Sequence, residues 1–359
     1  MTEDLLTTYR HRVLRQTEFV SIKGIPTVSR PFERLNFPLD RVYIQVQAVE
    51  AEQQQRRREA DETILAAQAA PKAGQERRDD LLEIQRKLGE KLYQQGETVQ
   101  AERPLQPIDP AEALNRYRRL VILGAPGAGK STLLRFLARQ AALQPAGPLP
   151  ILISVREYAT DERRLSLRQF AVEQASNDDD WLGQAIEQQI EQQQVIWLVD
   201  GLDEAGGEAE WVVRQAGELP GQLVITSRPI GYPHGILLDI HFKHFEILPL
   251  LADQRDQFLR NWFDVMAGQL NRSPTWVVEQ VETLQAKIAG RPRLAPILRH
   301  PLLLTFLAIL FAERPEMALP ESRAALYGQY IEELLLGHWK SSAAYTKMSR
   351  NKPNTNSTI

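Results

Sequence analysis

Residues Gly124-Ala125-Pro126-Gly127-Ala128-Gly129-Lys130-Ser131, followed by Thr132, fit the pattern G-x-x-x-x-G-K-[ST]. Each position has a physical task. The glycines let the backbone turn tightly, so that successive N–H groups converge on phosphate oxygens. A helix starting near Lys130 adds the positive end of its dipole. Lys130 is placed to reach β- and γ-phosphates, and Ser131 to offer its hydroxyl to Mg²⁺. The dinucleotide pattern G-x-G-x-x-G is excluded, because Gly127-Ala128-Gly129 is followed by Lys130, Ser131 and Thr132.

The flanking sequence agrees with a phosphate loop between a strand and a helix. Leu120 to Leu123 is a short apolar run, and Leu133, Leu134, Leu137 and Ala141 share one helical face within 131–142. Further strands are expected at 149–155, 195–199 and 223–226. Apolar runs this continuous suit strands buried on both faces, as in a parallel sheet covered by helices. Val42 to Val49 alternates and is also expected as a strand, within an otherwise irregular stretch over residues 1–50. After about Leu250 the strand signals stop. Several helices are expected over 252–340, with Ser273-Pro274 as an N-cap and N1 pair.

A second acidic element is required for the metal. Val195 to Val199 runs into Asp200, a hard oxygen ligand for a hard cation. Gly201 follows it, so Asp203 or Glu204 must polarise the attacking water. One of these two acids is expected to cap the next helix instead. The strand 223–226 leads into Ser227-Arg228-Pro229. A cation at a strand's carboxyl edge beside a phosphate site can sense the γ-phosphate.

Composition bounds the rest. The 359 residues carry 43 Lys+Arg, 46 Asp+Glu and a net charge of -3, so no global field draws the chain to nucleic acid or anionic lipid. There is no cysteine, which excludes disulfides, Cys-ligated metals and cysteine nucleophiles. The polar N-terminus is not a signal peptide. The longest apolar run, Leu302 to Ala312, is far short of the ~20 residues that span a bilayer and reads as a core helix. A cytoplasmic protein is expected.

Taken together, GAPGAGKST, VIWLVDGLDEA and LVITSRP resemble the motifs of a NACHT-family NTPase of the STAND class, bacterial in type. RHPLLLTFLAIL at 299–310 resembles the family's helical segment around a base-packing proline. LPESRAALYGQYIEELL at 319–335 resembles the junction into a winged helix, and TEFVSIKGI and VYIQVQAVE resemble segments that precede such modules. The resemblance implies a three-layer α/β sandwich with a mostly parallel sheet, then an all-helical lid and the start of a winged-helix region. The corresponding boundaries are 1–50 before the core, 51–110 a charged, glutamine-rich insertion, 111–250 the NTPase core, 251–318 the lid, 319–340 the winged-helix start and 341–359 a disordered tail. It also implies ATP or ADP with Mg²⁺ as ligands; ATP over GTP rests on the resemblance alone, since no local motif reads the base. Ser131 and Asp200 would hold Mg²⁺, with Lys130, Asp203, Glu204 and Arg228 catalytic and Pro301 near the base.

Family members switch between a closed ADP state and an open, oligomeric ATP state, which implies slow hydrolysis, a homo-oligomer and an unidentified protein partner. Neither membrane nor nucleic acid is expected as a partner. No complete winged helix or solenoid repeat is read in the sequence, so the chain departs here from the family's sensing and signalling half. The competing readings are a nucleotide-stabilised scaffold with little hydrolysis and an AAA+-like ATPase that loads onto DNA.

Overall fold

The structure is a computed structural model. It describes residues 2–20, 35–51, 106–163, 165–177, 179–230, 242–291 and 297–316, with isolated positions at 232, 294, 318–320, 322, 324–326 and 328. The expected insertion over 51–110, the winged-helix start and the tail lie largely or wholly outside the described residues.

Among the described residues, six strands form one sheet in the order β1-β6-β2-β5-β4-β3. In chain order they are β1 (Ala48–Glu50), β2 (Arg119–Leu123), β3 (Leu149–Ser154), β4 (Val195–Asp200), β5 (Gln222–Ser227) and β6 (Lys243–Ile247). All neighbours are parallel except β1 against β6. Leu120, Val121, Trp197, Leu198, Val224 and Ile225 are fully buried, as expected of strands covered on both faces. The Trp197 indole N–H is not stranded there; it donates to the Pro220 carbonyl at 2.7 Å.

Register sets the site's floor. Leu123 of β2 lies level with Ser227 of β5, and Asp200 of β4 lies level with Ser154 of β3. The phosphate loop, Asp200 and Arg228 therefore leave the sheet at the same carboxyl edge, where open α/β sheets bind ligands.

The expected strand over 42–49 is shorter than its alternation suggested. Residues Leu39–Val42 form a single helical turn, α2, and only Ala48–Glu50 joins the sheet. The alternation has another cause. Val42 and Ile44 pack into one apolar core, while Val46 and Ala48 pack into another. An extended segment crossing between two cores shows period 2 without a ladder along its length.

The N-terminal stretch, expected to be irregular, begins with a long helix, α1 (Thr2–Gln16). Tyr9 and Val13 bury its inner face. The Tyr9 hydroxyl donates to the Pro150 carbonyl at 2.8 Å. The buried Arg10 guanidinium donates to the Ala141 carbonyl at 2.8 Å, the last turn of the helix that follows the phosphate loop. A cation there adds a second donor to a carbonyl that also accepts the Gln144 N–H, and it complements the negative end of the helix dipole.

Beyond the sheet, α9 (Ala252–Gln269), α10 (Pro274–Ala289) and α11 (Pro301–Glu313) enclose a second core. Ser273 caps α10 by accepting from the Trp276 N–H, with Pro274 at N1 as expected. The apolar run in α11 is a core helix: Leu303 to Leu310 are all buried. Phe37 and Val42 belong to this second core too, so the segment 35–50 straps the helical unit to the sheet.

Candidate functional site

Between β2 and α4 (Lys130–Ala142), Gly127 and Gly129 sit at φ +78° and +95°, a region other residues rarely adopt. The loop is tied to the sheet by the Gly124 N–H, which donates to the Ser227 carbonyl at 3.2 Å. Lys130 folds back over it: Nζ donates to the Gly124 carbonyl at 2.8 Å and the Ala125 carbonyl at 3.3 Å. Burial pulls the Lys130 ammonium below the usual lysine range. Asp203 opposes that pull, Arg228 adds to it, and Asp200 and Glu204 oppose it further. The structure thus gathers all the charged residues singled out in the sequence around one lysine.

Asp200 is held by a residue the sequence reading had passed over. The fully buried Thr226 hydroxyl donates to Asp200 Oδ1 at 2.6 Å and accepts from the Gly201 N–H at 3.0 Å. A threonine inside an otherwise apolar strand was the available signal. Asp200 Oδ2 makes no hydrogen bond among the described residues, and the Ser131 side chain lies on the exposed side of the first turn of α4. Two hard oxygen donors of this kind suit Mg²⁺, which keeps several waters and leans on substrate phosphates. Among the described residues there is no group of three or more His, Cys, Asp or Glu able to hold a metal by themselves.

Asp203 lies in a 3₁₀ turn, Leu202–Glu208. Its Oδ1 accepts the Arg228 backbone N–H at 2.9 Å and its Oδ2 meets Arg228 Nε at 2.9 Å. Neither Asp203 nor Glu204 caps the next helix, contrary to expectation. That helix, α8 (Ala209–Glu218), starts after Glu208 with no side-chain cap. The 3₁₀ turn carries both acids back toward the sheet edge before the helix begins.

The loop opens into an apolar cavity of about 240 Å³. Gly127, Gly129, Lys130, Ser131 and Thr132 line one end. Tyr43, Ile44, Leu250, Trp262 and Pro301 are among the residues lining the other. No local motif announced this apolar end. The Tyr43 ring stacks on Phe136 of α4 at 4.0 Å between centroids, and Trp262 lies between Phe37 and Phe258 at 4.1 and 5.3 Å. Pro301 lies beside the loop: a Cβ on Gly129 would lie 4.0 Å from its Cγ. Its neighbour is closer still. A Cβ on Gly127 would lie 2.8 Å from the Leu302 Cβ, and the Leu302 N–H reaches the Gly127 carbonyl at 3.3 Å.

Residues 118–265 match the family model of the NACHT domain. This stretch contains the loop, Asp200, Asp203, Glu204 and Arg228, so the chain carries a NACHT-type nucleotide-binding P-loop NTPase module. No curated protein matches the chain. The structure of C. elegans PCH-2 aligns with 58% of this chain and 64% of its own length, less than two thirds, at 14% identity and a TM-score of 0.33. A likeness that loose supports no functional statement. Among the described residues, no helix is long and apolar enough to cross a membrane.

Proposed function

We propose that this chain is a nucleotide-dependent conformational switch of the STAND type, binding ADP or ATP with Mg²⁺ and hydrolysing ATP slowly, in cytoplasmic signalling or defence. The carrying observation is that one cavity is lined both by the phosphate loop and by the helical unit, through Phe258, Trp262, Pro301, Leu302 and Thr305. A ligand touching both units biases how they sit together, as hinge closure around a ligand does.

In this reading Gly124, Ala125, Pro126, Gly127, Ala128 and Gly129 wrap the phosphates through their backbone. Lys130 binds the β- and γ-phosphates and Thr132 closes the first turn. Ser131 and Asp200 hold Mg²⁺, which would neutralise phosphate charge when bound. Pro301 packs against the base, and the apolar end suits the face of a nucleobase. Arg228 reads the γ-phosphate. The units of the switch are the core at 111–250 and the lid at 251–318, and the ATP form is a homo-oligomer that meets a further protein.

The test is limited proteolysis with ADP and with a non-hydrolysable ATP analogue, both shown to be bound. The two patterns should differ, chiefly over 252–318. Arg228→Ala should make them converge while ADP still binds. Identical wild-type patterns would leave the nucleotide-stabilised scaffold as the better reading. Salt-dependent binding of DNA would instead favour the DNA-loading reading.

A further inference from the structure

Asp203 and Glu204 are adjacent acids, yet their surroundings differ. The Asp203 side chain is 11% exposed; its Oδ1 accepts the Arg228 backbone N–H at 2.9 Å, and its Oδ2 makes an ion-pair contact with Arg228 Nε at 2.9 Å. This two-point grip fixes the residue that follows β5 both by its main chain and by its guanidinium. It leaves the two Arg228 Nη groups without a hydrogen bond among the described residues. A water bound by Asp203 would have to compete with that pair.

Glu204 is exposed, and its carboxylate makes no hydrogen bond or ion pair among the described residues. Its carboxyl carbon would lie 3.4 Å from a Cβ on Gly201, and its Oε1 3.7 Å. Gly201 is the residue directly after Asp200, at φ +81°. The missing side chain at 201 therefore leaves room that the Glu204 carboxylate approaches from three residues on.

We infer that Asp203 is the positioning residue that holds Arg228 at the sheet edge, and that Glu204 is the group left to polarise water. This rests on the proposed hydrolytic reading. In the step, the water oxygen bonds to the γ-phosphorus as the bridging bond to ADP breaks. The water proton passes to the Glu204 carboxylate, and ADP and inorganic phosphate leave. Asp203 acts on that step only through Arg228, whose free Nη groups are available to the γ-phosphate.

The experiment measures ATP and ADP affinity, kcat and KM for wild type, Asp203→Asn, Arg228→Ala, their double variant and Glu204→Gln. The expected result is that Asp203→Asn and Arg228→Ala each erase most of the preference for ATP over ADP. The double variant should lose no more than either single change, because both remove one coupled unit. Glu204→Gln should keep the preference and lower kcat by ~100-fold or more. Should Asp203→Asn fail to fold, Arg228→Lys probes the same grip from the other side, and a preserved preference in it counts against the inference. Turnover lost in Asp203→Asn at an unchanged ATP-to-ADP ratio, or an additive double variant, overturns the positioning role. Normal turnover in Glu204→Gln overturns its own role. A wild type that binds ATP without any turnover refutes the hydrolytic reading and the Glu204 role together, while the affinity ratios still decide the Asp203 grip.

Discussion

At the phosphate end of the cavity, Gly127, Gly129, Lys130, Ser131 and Thr132 come from one short run of sequence. At the apolar end, Tyr43, Ile44, Leu250, Trp262 and Pro301 come from the strap, the start of the helical unit and its last described long helix. The first end depends on local backbone geometry: two left-handed glycines and a helix N-terminus. The second depends on two apolar cores meeting, with the segment 35–50 reaching into both. A locally built end should survive loosening of the helical unit. An end assembled from distant segments should not.

The strongest test of the comparison is Lys130→Ala. A nucleotide at ~100 times its dissociation constant adds about 2.7 kcal/mol of stability, a melting shift of several degrees for a domain of this size. ADP or ATP with Mg²⁺ should produce that shift in wild type and none in the variant, read by thermal melting. An equal shift in the variant would mean that the apolar end binds by itself.

Gly127→Ala should have the next largest effect, because Gly127 is where the two ends touch. The new methyl needs a φ of +78° and would lie 2.8 Å from the Leu302 Cβ. We expect nucleotide affinity to fall ~10-fold, about 1.4 kcal/mol, and protease cleavage within 252–313 to rise. Adding Leu302→Ala should recover little, because alanine keeps the Cβ that makes the 2.8 Å contact and removes only the longer contacts of Cδ2 and Cγ. If proteolysis of Gly127→Ala matches wild type, the contact does not govern how the helical unit sits.

Tyr43→Ala acts on the apolar end alone. It removes a ring stacked on Phe136, and such pairs contribute about 0.5–1.5 kcal/mol beyond buried area. ATP affinity should fall several-fold, while inorganic triphosphate, which has no base, should bind as in wild type. Equal losses for both ligands in calorimetry would show that the strap supports the phosphate loop rather than the base.

Legibility followed the same division. The loop, Asp200 at the end of β4, Arg228 after β5 and the α4 face were all readable, because each is a fixed spacing or a short apolar run. Some elements were not readable. The strand Lys243–Ile247 has a charged and an imidazole side chain at its start and only two buried positions, Phe245 and Ile247. The helix Thr2–Gln16 hides its apolar stripe among charges whose stems cover the core, with Arg10 itself buried.

The sequence by itself determined the phosphate-binding chemistry, the parallel sheet that carries it and the acids and arginine at its edge. The reason is that a P-loop is a local object: glycine φ angles, successive N–H groups and one helix start are fixed by neighbouring residues. Tertiary structure alone decided which side chains other than Pro301 close the apolar end, that Thr226 steadies Asp200, and that Asp203 grips Arg228. Those pairings join residues 25 or more positions apart. Only the parallel register of β4 and β5 brings such residues within hydrogen-bond distance, and that register is set by burial of whole strands rather than by any one residue.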